Sequence, residues 1–444
     1  MINECISAIS TARGVGGVAI IRISGDNALK IAEKMFKCKT DVCDFEPYRM
    51  YVGRISAGEF SDFGMCVYFK APKSYTGEDM VEFHCHGGIA ISEGILKQTF
   101  NFGSRPATNG EFTKRAFLNG KMSLSSAEGL IDMINGETVA EAKCGFYLYR
   151  EKLLNNIIEK QNTLTNVLAQ IDVDIDYPEE DVPSADEKIV KNRLTEIRDG
   201  LVSLIDTFKN ASKVKSGIKV ALCGKPNAGK SSLLNSLLGC DKAIVSSVSG
   251  TTRDIVEGYS EINGIKFVFF DTAGIHDSVD EVEKIGIRRS YKAIEGSDIA
   301  VMLCDAEAGI DDEDFAIIEK IKPFNHVVIL NKSDVCDNFQ LNFDLKISVK
   351  NGEGLEQLKK LVFEKSNAEK VNLNGDYITE ERHYYALKDA LDSIDSAISN
   401  IGIFPLDIVT VDLRNAWQSL GKISGLTCDQ AVIDEIFAKF CVGK

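Results

Sequence analysis

From about residue 121, apolar residues recur at three-, four- and seven-residue intervals. Leu154, Ile157, Leu164, Leu168 and Ile171 form one series, and Leu194, Ile197, Leu201, Ile205 and Phe208 another. This spacing lines each set along one face of a long α-helix. The same period returns late in the chain, first in Leu387, Leu391, Ile394 and Ile398, then in Trp417, Leu420 and Ile423. The last helix is predicted to open at Thr427-Cys428-Asp429-Gln430, which matches the S/T-x-x-E/Q capping box. Its apolar positions Ile433, Ile436, Phe437 and Phe440 fall on one face, which should dock into a helical bundle.

Two regions have a different texture. Residues 1–118 mix short β-branched and aromatic runs, "VAIIRIS" (18–24) and "MCVYFK" (65–70), with glycine or proline turns, and read as an α+β domain. Between 217 and about 365, apolar strands alternate with helices. Each helical half is small for a core on its own, so 119–213 and 374–444 are expected to pack as one bundle, the alternative being two separate helical domains. An α/β domain over 214–373 is then an insertion into the bundle. The predicted fold class is multidomain α/β, and the chain holds no internal repeat or low-complexity tract.

Composition sets limits on this picture. A length of 444 residues fits about three domains at ~150 residues each. A hydrophobic content of 44% and a charged content of 26% are ordinary for a globular chain. No run approaches the ~18 apolar residues of a membrane span, and "MINECISAIS" does not read as a signal peptide. The 12 cysteines include no CxxC pair, which fits free thiols in a reducing compartment, so a cytoplasmic protein is expected. The net charge of −15 gives no overall attraction to nucleic acid; an RNA contact needs a local basic patch or a partner. The run Asp172 to Asp181 ("DVDIDYPEED") reads as a solvated loop.

The most specific motif is Gly224-Lys225-Pro226-Asn227-Ala228-Gly229-Lys230-Ser231, a G-x-x-x-x-G-K-[ST] phosphate loop between an apolar strand and a helix that continues through Ser232. Its glycines let backbone N–H groups converge on phosphate at a helix N-terminus. Lys230 is expected at the β- and γ-phosphates, and Ser231 on magnesium. "DTAG" follows the strand "KFVFF", which places Asp271 near the magnesium and Gly274 near the γ-phosphate, with Thr272 and Ala273 between them. "NKSD" supplies Asn331, Lys332 and Asp334; the Asp334 carboxylate can accept from N1–H and the 2-amino group of guanine, donors that adenine lacks. Ser348, Val349 and Lys350 suit a further loop over the base. "GTTRD" (250–254) occupies the place of a switch loop, with Thr252 as a second magnesium ligand. Five motifs in this order define a GTPase domain.

Two details depart from a Ras-like arrangement. Ile275 and His276 follow DTAG, so no glutamine is there to orient water, and Glu283 in "DEVEKIG" is within loop reach. Asn227 lies inside the phosphate loop, where a side-chain amide oxygen can coordinate a monovalent cation in place of an arginine finger. "HCH" (84–86) sets two histidines on one side of a strand, but no third ligand has metal-site spacing, and a turn residue is the expected role of His86. The chain ends in "FAKFCVGK". Cys441 invites a C-a-a-X reading, yet Gly443 is not aliphatic and a terminal lysine is not a usual X residue.

Taken together, "GGVAIIRISG" (16–25), "SYTGEDMVEFHCHGG" (74–88), "GEFTKRAFLNGKMSL" (110–124), "IDYPEEDV" (175–182), the nucleotide motifs and the terminal "FCVGK" resemble one family over essentially the whole length. It is the tRNA wobble-uridine modification GTPase family, MnmE (also TrmE); Val442 stands where that family usually has isoleucine. The resemblance implies an N-terminal α+β domain that binds 5-formyl- or 5,10-methylene-tetrahydrofolate and forms a homodimer, a helical bundle, and an inserted Ras-like P-loop GTPase domain. It puts Arg22, Glu82, Lys121 and Lys444 at the folate and Cys441 at a second active site. It lines the nucleotide with Ser246, Ser247, Val248, Ser249, Gly250, Thr251 and Thr252, places potassium at Asn227, Ser246, Val248 and Thr251, and gives Glu283 the attacking water. The implied reaction adds a carboxymethylaminomethyl-type group to C5 of the wobble uridine of tRNA. The implied partner is a flavin enzyme (MnmG, also GidA) in a heterotetramer, with no membrane role. The competing readings are a ribosome-assembly GTPase that binds rRNA and a dynamin-like membrane remodeller. The first needs a basic RNA-binding appendage and the second a membrane element.

Overall fold

The computed structural model describes residues 4–176, 186–239, 257–271, 294–336, 342–368 and 378–444. The chain divides into two compact units. One comprises Met1–Ile131, Gly145–Arg198 and Ala386–Lys444, and the other Asp132–Cys144 and Asp199–Tyr385.

The first unit is built on seven strands: β1 (Ile6–Ile9), β2 (Gly16–Ser24), β3 (Phe36–Lys37), β4 (Met50–Ser56), β5 (Ser61–Phe69), β6 (Met80–Gly87) and β7 (Arg105–Pro106). Their order is β3-β4-β5-β6-β2-β1-β7, antiparallel except where β7 joins β1. The register of β2 with β6 sets Ile21 opposite Phe83, Ile23 opposite Val81 and Arg22 opposite Glu82. Side chains alternate across a strand. Ile21, Ile23, Val81 and Phe83 therefore share one face, where they form a core with Ala28, Ile31 and Ile95 from the helices Ala28–Met35 and Ile89–Asn101. Arg22 and Glu82 take the opposite face.

Helix Lys152–Asp176 packs along helix Leu406–Ser424 in the same unit. Gln161 Nε2 donates to the Trp417 carbonyl at 3.0 Å, and Trp417 Nε1 donates to Thr165 Oγ1 at 3.1 Å. Residues 172–176 of the acidic run continue this helix rather than forming a loop, and Asp172 pairs with Arg414 at 2.9 Å. Residues 177–181 of the run lie outside the described residues.

The last helix is Gln430–Ala438, and it corrects the expected capping box. Asp429 is the N-cap, without a side-chain cap bond. The Thr427 hydroxyl instead donates to the Gln418 carbonyl at 2.7 Å, and the Gln430 amide donates to Asp434. Thr427 is drawn back onto the preceding helix, Leu406–Ser424. Ile433, Ile436, Phe437 and Phe440 form a core with Leu124 and Ala127.

The second unit holds a sheet of β8 (Ile218–Cys223), β9 (Glu257–Ile262), β10 (Ile265–Asp271), β11 (Ile299–Asp305), β12 (His326–Asn331) and β13 (Leu345–Lys346). The order is β13-β12-β11-β8-β10-β9, parallel except for the β9–β10 hairpin. The hairpin turns at Asn263 (φ 51°) and Gly264 (φ 82°), the two positive values of a type I′ turn. All seven residues of β11 are buried, as expected for a central parallel strand with both faces covered.

Candidate functional site

The phosphate-loop sequence leaves β8 and enters helix Lys230–Leu238. Gly224 (φ 137°) and Gly229 (φ 98°) take conformations that L side chains rarely adopt, and both are crowded. A Cβ on Gly224 would lie 2.4 Å from the Leu303 carbonyl oxygen, and one on Gly229 2.3 Å from Asn331 Nδ2. Asn227 also has a positive φ, 65°. Lys230 is buried, and its ammonium donates to the carbonyls of Gly224 (2.8 Å) and Lys225 (2.7 Å). Ala228 is buried, while Ser231 and Ser232 are exposed on the first turn of the helix. A glycine-shaped loop that runs into a helix N-terminus beside a lysine fits a polyphosphate and its counter-ion.

The loops after β12 and β13 meet this one. Asn331 closes β12 and is 3% exposed. Its Nδ2 donates to the Ala228 carbonyl at 2.9 Å, and its Oδ1 accepts from the Val349 amide at 3.2 Å. One side chain thus ties the phosphate loop to the loop of Ser348, Val349 and Lys350. Lys332 (φ 60°) pairs with Asp305 at 2.7 Å and Glu307 at 3.0 Å. Burial would raise the Asp305 carboxyl, but Lys332 and the amides of Glu307 and Ala308 hold it below its ordinary range. Asp334 is exposed, as is Lys350. Ser348 is fully buried and pairs through its backbone with Glu353.

Sequence reasoning missed the acids of the connection after β11. Besides Asp305 and Glu307, Asp311 and Asp314 each approach Lys225 Nζ at 2.8 Å. The signal was the cluster of acids in "DAEAGIDDED", directly after an apolar strand. Asp271 closes β10, in register with Leu222 of β8. Ser246, Ser247, Val248, Ser249, Gly250, Thr251, Thr252, Thr272, Ala273, Gly274 and Glu283 lie outside the described residues.

In the first unit, Arg22 and Glu82 come together on one sheet face, with Arg22 Nε 2.8 Å from Glu82 Oε1. His84 Nε2 lies 3.4 Å from the other carboxylate oxygen. Burial would raise the Glu82 carboxyl, but His84 and Arg22 outweigh it and hold it below the ordinary range. The Arg22 guanidinium lies over the rings of Tyr75 (5.2 Å) and Phe112 (5.6 Å). Lys121 donates to the Pro72 carbonyl at 3.0 Å. His86 lies within β6, not in a turn, and its Nδ1 is 2.7 Å from Asp62. The two histidines of "HCH" therefore have different carboxylate partners. Among the described residues, no group of three or more His, Cys, Asp and Glu is placed to hold a metal ion.

The C-terminal tail is docked. Val442 bridges Asn109, the Cys441 carbonyl accepts from the Gly110 amide at 3.4 Å, and Asn109 Nδ2 donates to the Ala438 carbonyl at 3.3 Å. Gly443 (φ 100°) sits so close to β1 that a Cβ would lie 2.2 Å from the Ile9 carbonyl oxygen. Ile9 is next to Ala8, the register partner of Arg22. Cys441 is exposed and Lys444 half-buried.

Two family descriptions match the chain: the MnmE helical domain over residues 124–441, and the GTP-binding protein TrmE N-terminus over residues 5–121. The tRNA modification GTPase MnmE of Acetivibrio thermocellus is 39% identical, covering 100% of this chain and 99% of the relative. The protein of the same name from Clostridioides difficile is 38% identical, covering 100% of both. Among solved structures, a point variant of Aquifex aeolicus Era bound to GDP.AlF4- is 27% identical, with a TM-score of 0.28, over 39% of this chain and 66% of that one.

Proposed function

The chain belongs to the MnmE family of tRNA modification GTPases, and on that premise we propose that it couples GTP hydrolysis to construction of a carboxymethylaminomethyl-type group on C5 of the wobble uridine. The observation that carries this reading is the presence, in one chain, of nucleotide-motif loops tied together by Asn331 and of a tail docked beside the sheet that carries Arg22 and Glu82. Asn331 links the phosphate loop to the loop at Val349. The tail at Cys441–Lys444 lies beside β1, next to the strand that carries Arg22.

Ser231 and Thr252 would hold magnesium, which would supply charge neutralisation at the phosphates. Lys230 reaches the β- and γ-phosphates. Asn331, Lys332 and Asp334 select guanine, and Ser348–Lys350 close over the base. Asn227, with Ser246, Val248 and Thr251, holds potassium, and Glu283 orients the attacking water. This division of labour belongs to a G domain over 214–373, set between the bundle halves 119–213 and 374–444.

The N-terminal domain, 1–118, takes a 5-formyl- or 5,10-methylene-tetrahydrofolate. Glu82 suits an N–H and amino edge of a pterin, because Arg22 and His84 keep its carboxylate ionised. Lys121 and Lys444 suit the polar and anionic parts. Cys441, exposed on the docked tail, would offer a thiol to the folate carbon or to the uridine ring. The protein works as a cytoplasmic homodimer with a flavin-dependent partner.

The test is mass analysis of wobble uridines from cells lacking the gene, with purified protein assayed beside it. The modified uridine should disappear, the protein should retain folate, and GTP hydrolysis should run faster in potassium than in sodium. Unchanged uridines would remove the proposed function.

A further inference from the structure

The connection after β11 reaches both nucleotide loops. At its start, Asp305 and Glu307 hold Lys332, which belongs to the loop read as selecting guanine. At its end, Asp311 and Asp314 hold Lys225, the second residue of the phosphate loop. Parallel pairing of β8 with β11 brings Lys225 within reach of residues 86 and 89 positions later.

The Asp311–Asp314 end is rigid for a local reason. Asp311 caps helix Asp312–Ile321, accepting from the amides of Glu313 (3.1 Å) and Asp314 (3.3 Å). Asp314 reciprocates by accepting from the Asp311 amide at 3.2 Å. These two side chains form the capping box, and both of their carboxylates also take the Lys225 ammonium. Asp314 is 0% exposed, and its Oδ1 is buried with no hydrogen-bond partner among the described residues. A buried carboxylate requires a counter-charge, and Lys225 supplies it. The ammonium therefore points at the helix cap, while the carbonyl of the same residue receives Lys230.

We propose that the connection 305–314 is a brace that fixes the phosphate loop relative to the guanine loop, with Lys225 and Asp314 as positioning residues for nucleotide binding. The brace acts through the Lys225 backbone: with the side chain anchored, the carbonyl that orients Lys230 is held in place. Lys225 itself touches no phosphate. This inference rests on the phosphate-loop reading of 224–231.

The sign of one substitution separates the brace from direct contact. Kd values for GTP and GDP, with magnesium, are measured for the wild type, Lys225→Met, Lys225→Arg, Asp311→Asn, Asp314→Asn and Lys225→Met/Asp314→Asn. Lys225→Met should weaken both nucleotides in parallel by about 10- to 100-fold, the range for lost charge-assisted hydrogen bonds. Asp314→Asn should weaken them too, and Lys225→Arg should stay within about threefold because arginine can still bridge two carboxylates. The double variant should lose less than the sum of its single changes, because the buried charge leaves with its partner. Asp311 is 61% exposed and asparagine still caps a helix, so Asp311→Asn guards against a folding artefact and should weaken binding slightly. Tighter or unchanged binding by Asp314→Asn would overturn the brace, since a lysine freed to reach phosphate gives that result. Strictly additive losses in the double variant would also overturn it. A wild-type protein that binds neither nucleotide would remove the phosphate-loop reading as well.

Discussion

Replacing Asn331 with alanine removes two hydrogen bonds at once, the donor to Ala228 at 2.9 Å and the acceptor for the Val349 amide at 3.2 Å. The side chain is 3% exposed, so water does not readily take its place. Each neutral hydrogen bond contributes about 1 kcal/mol net, and each buried partner left unsatisfied adds to the loss, giving about 2–3 kcal/mol together. If all of it falls on the loop arrangement that binds nucleotide, GTP affinity drops by roughly 30- to 150-fold, at about 1.4 kcal/mol per tenfold. Any part of the loss expressed before binding appears as a lower thermal midpoint of the nucleotide-free protein. Titration with GTP by calorimetry reads the first quantity and a thermal melt the second. Asn331→Asp is the informative companion, because it keeps an acceptor for Val349 but turns an oxygen toward the Ala228 carbonyl. It should bind GTP no better than the alanine variant. An alanine variant within about threefold of wild type in affinity, with an unchanged midpoint, would refute the idea that this side chain assembles the site.

Glu111 predicts a pH dependence in the first unit. Burial would raise its carboxyl, but Arg105, the Thr108 amide and Arg115 pull it down to about 2 from 4.5. Because the folded-state pKa is the lower one, the stabilisation is complete above pH ~4.5 and is lost as pH falls towards ~2; its size is about 3 kcal/mol at neutral pH. Urea unfolding followed by fluorescence of Trp417, the one tryptophan, should show Glu111→Gln less stable at pH 7 and level with wild type near pH 2; a pH-independent gap would contradict the assignment. Gly443→Ala puts a Cβ 2.2 Å from the Ile9 carbonyl oxygen at a φ of 100°, so the tail must lift. Carboxypeptidase should then remove Lys444 faster, measured by mass spectrometry, and folate retention should fall; trimming at the wild-type rate would show that the docked tail does not depend on this contact.

The context of the phosphate-loop motif was legible because it is written in consecutive residues. Gly224 to Ser231 specify their own strand–loop–helix context, and the 3.6-residue period located helices Lys152–Asp176 and Glu187–Ser216. Pairings made by topology were not legible. That Lys225 meets Asp311 and Asp314 follows from β11 lying beside β8, a strand order that no local pattern encodes. The opposition of Arg22 and Glu82 is likewise a matter of β2–β6 register, and the resemblance named both residues without their contact. The capping box at Thr427 failed for a related reason. Spacing offers the hydroxyl to its own helix, whereas the folded chain presents it with the closer carbonyl of Gln418. Of the acidic run, residues 172–176 stay helical, with Asp172 paired to Arg414 and so neutralised on the helix surface.

A chain with a net charge of −15 that binds GTP and acts on tRNA must hold polyanions against its own long-range field. That field is screened over about 8 Å at physiological ionic strength, so recognition has to come from groups in contact with the ligand. The nucleotide site is arranged accordingly. Lys225 and Lys332, the lysines beside the critical turns, are paired with carboxylates and set backbone geometry. Lys230 is oriented by two carbonyl oxygens, which hold an ammonium without cancelling its charge. Backbone N–H groups of a glycine-shaped loop at a helix N-terminus supply the remaining attraction, and their partial charges act at hydrogen-bond distance. The two lysines offset only two of the four acids paired with them after β11, so the cluster still carries net negative charge beside the site. The pairs return a fixed loop geometry in which a short-range anion site can work inside an acidic protein.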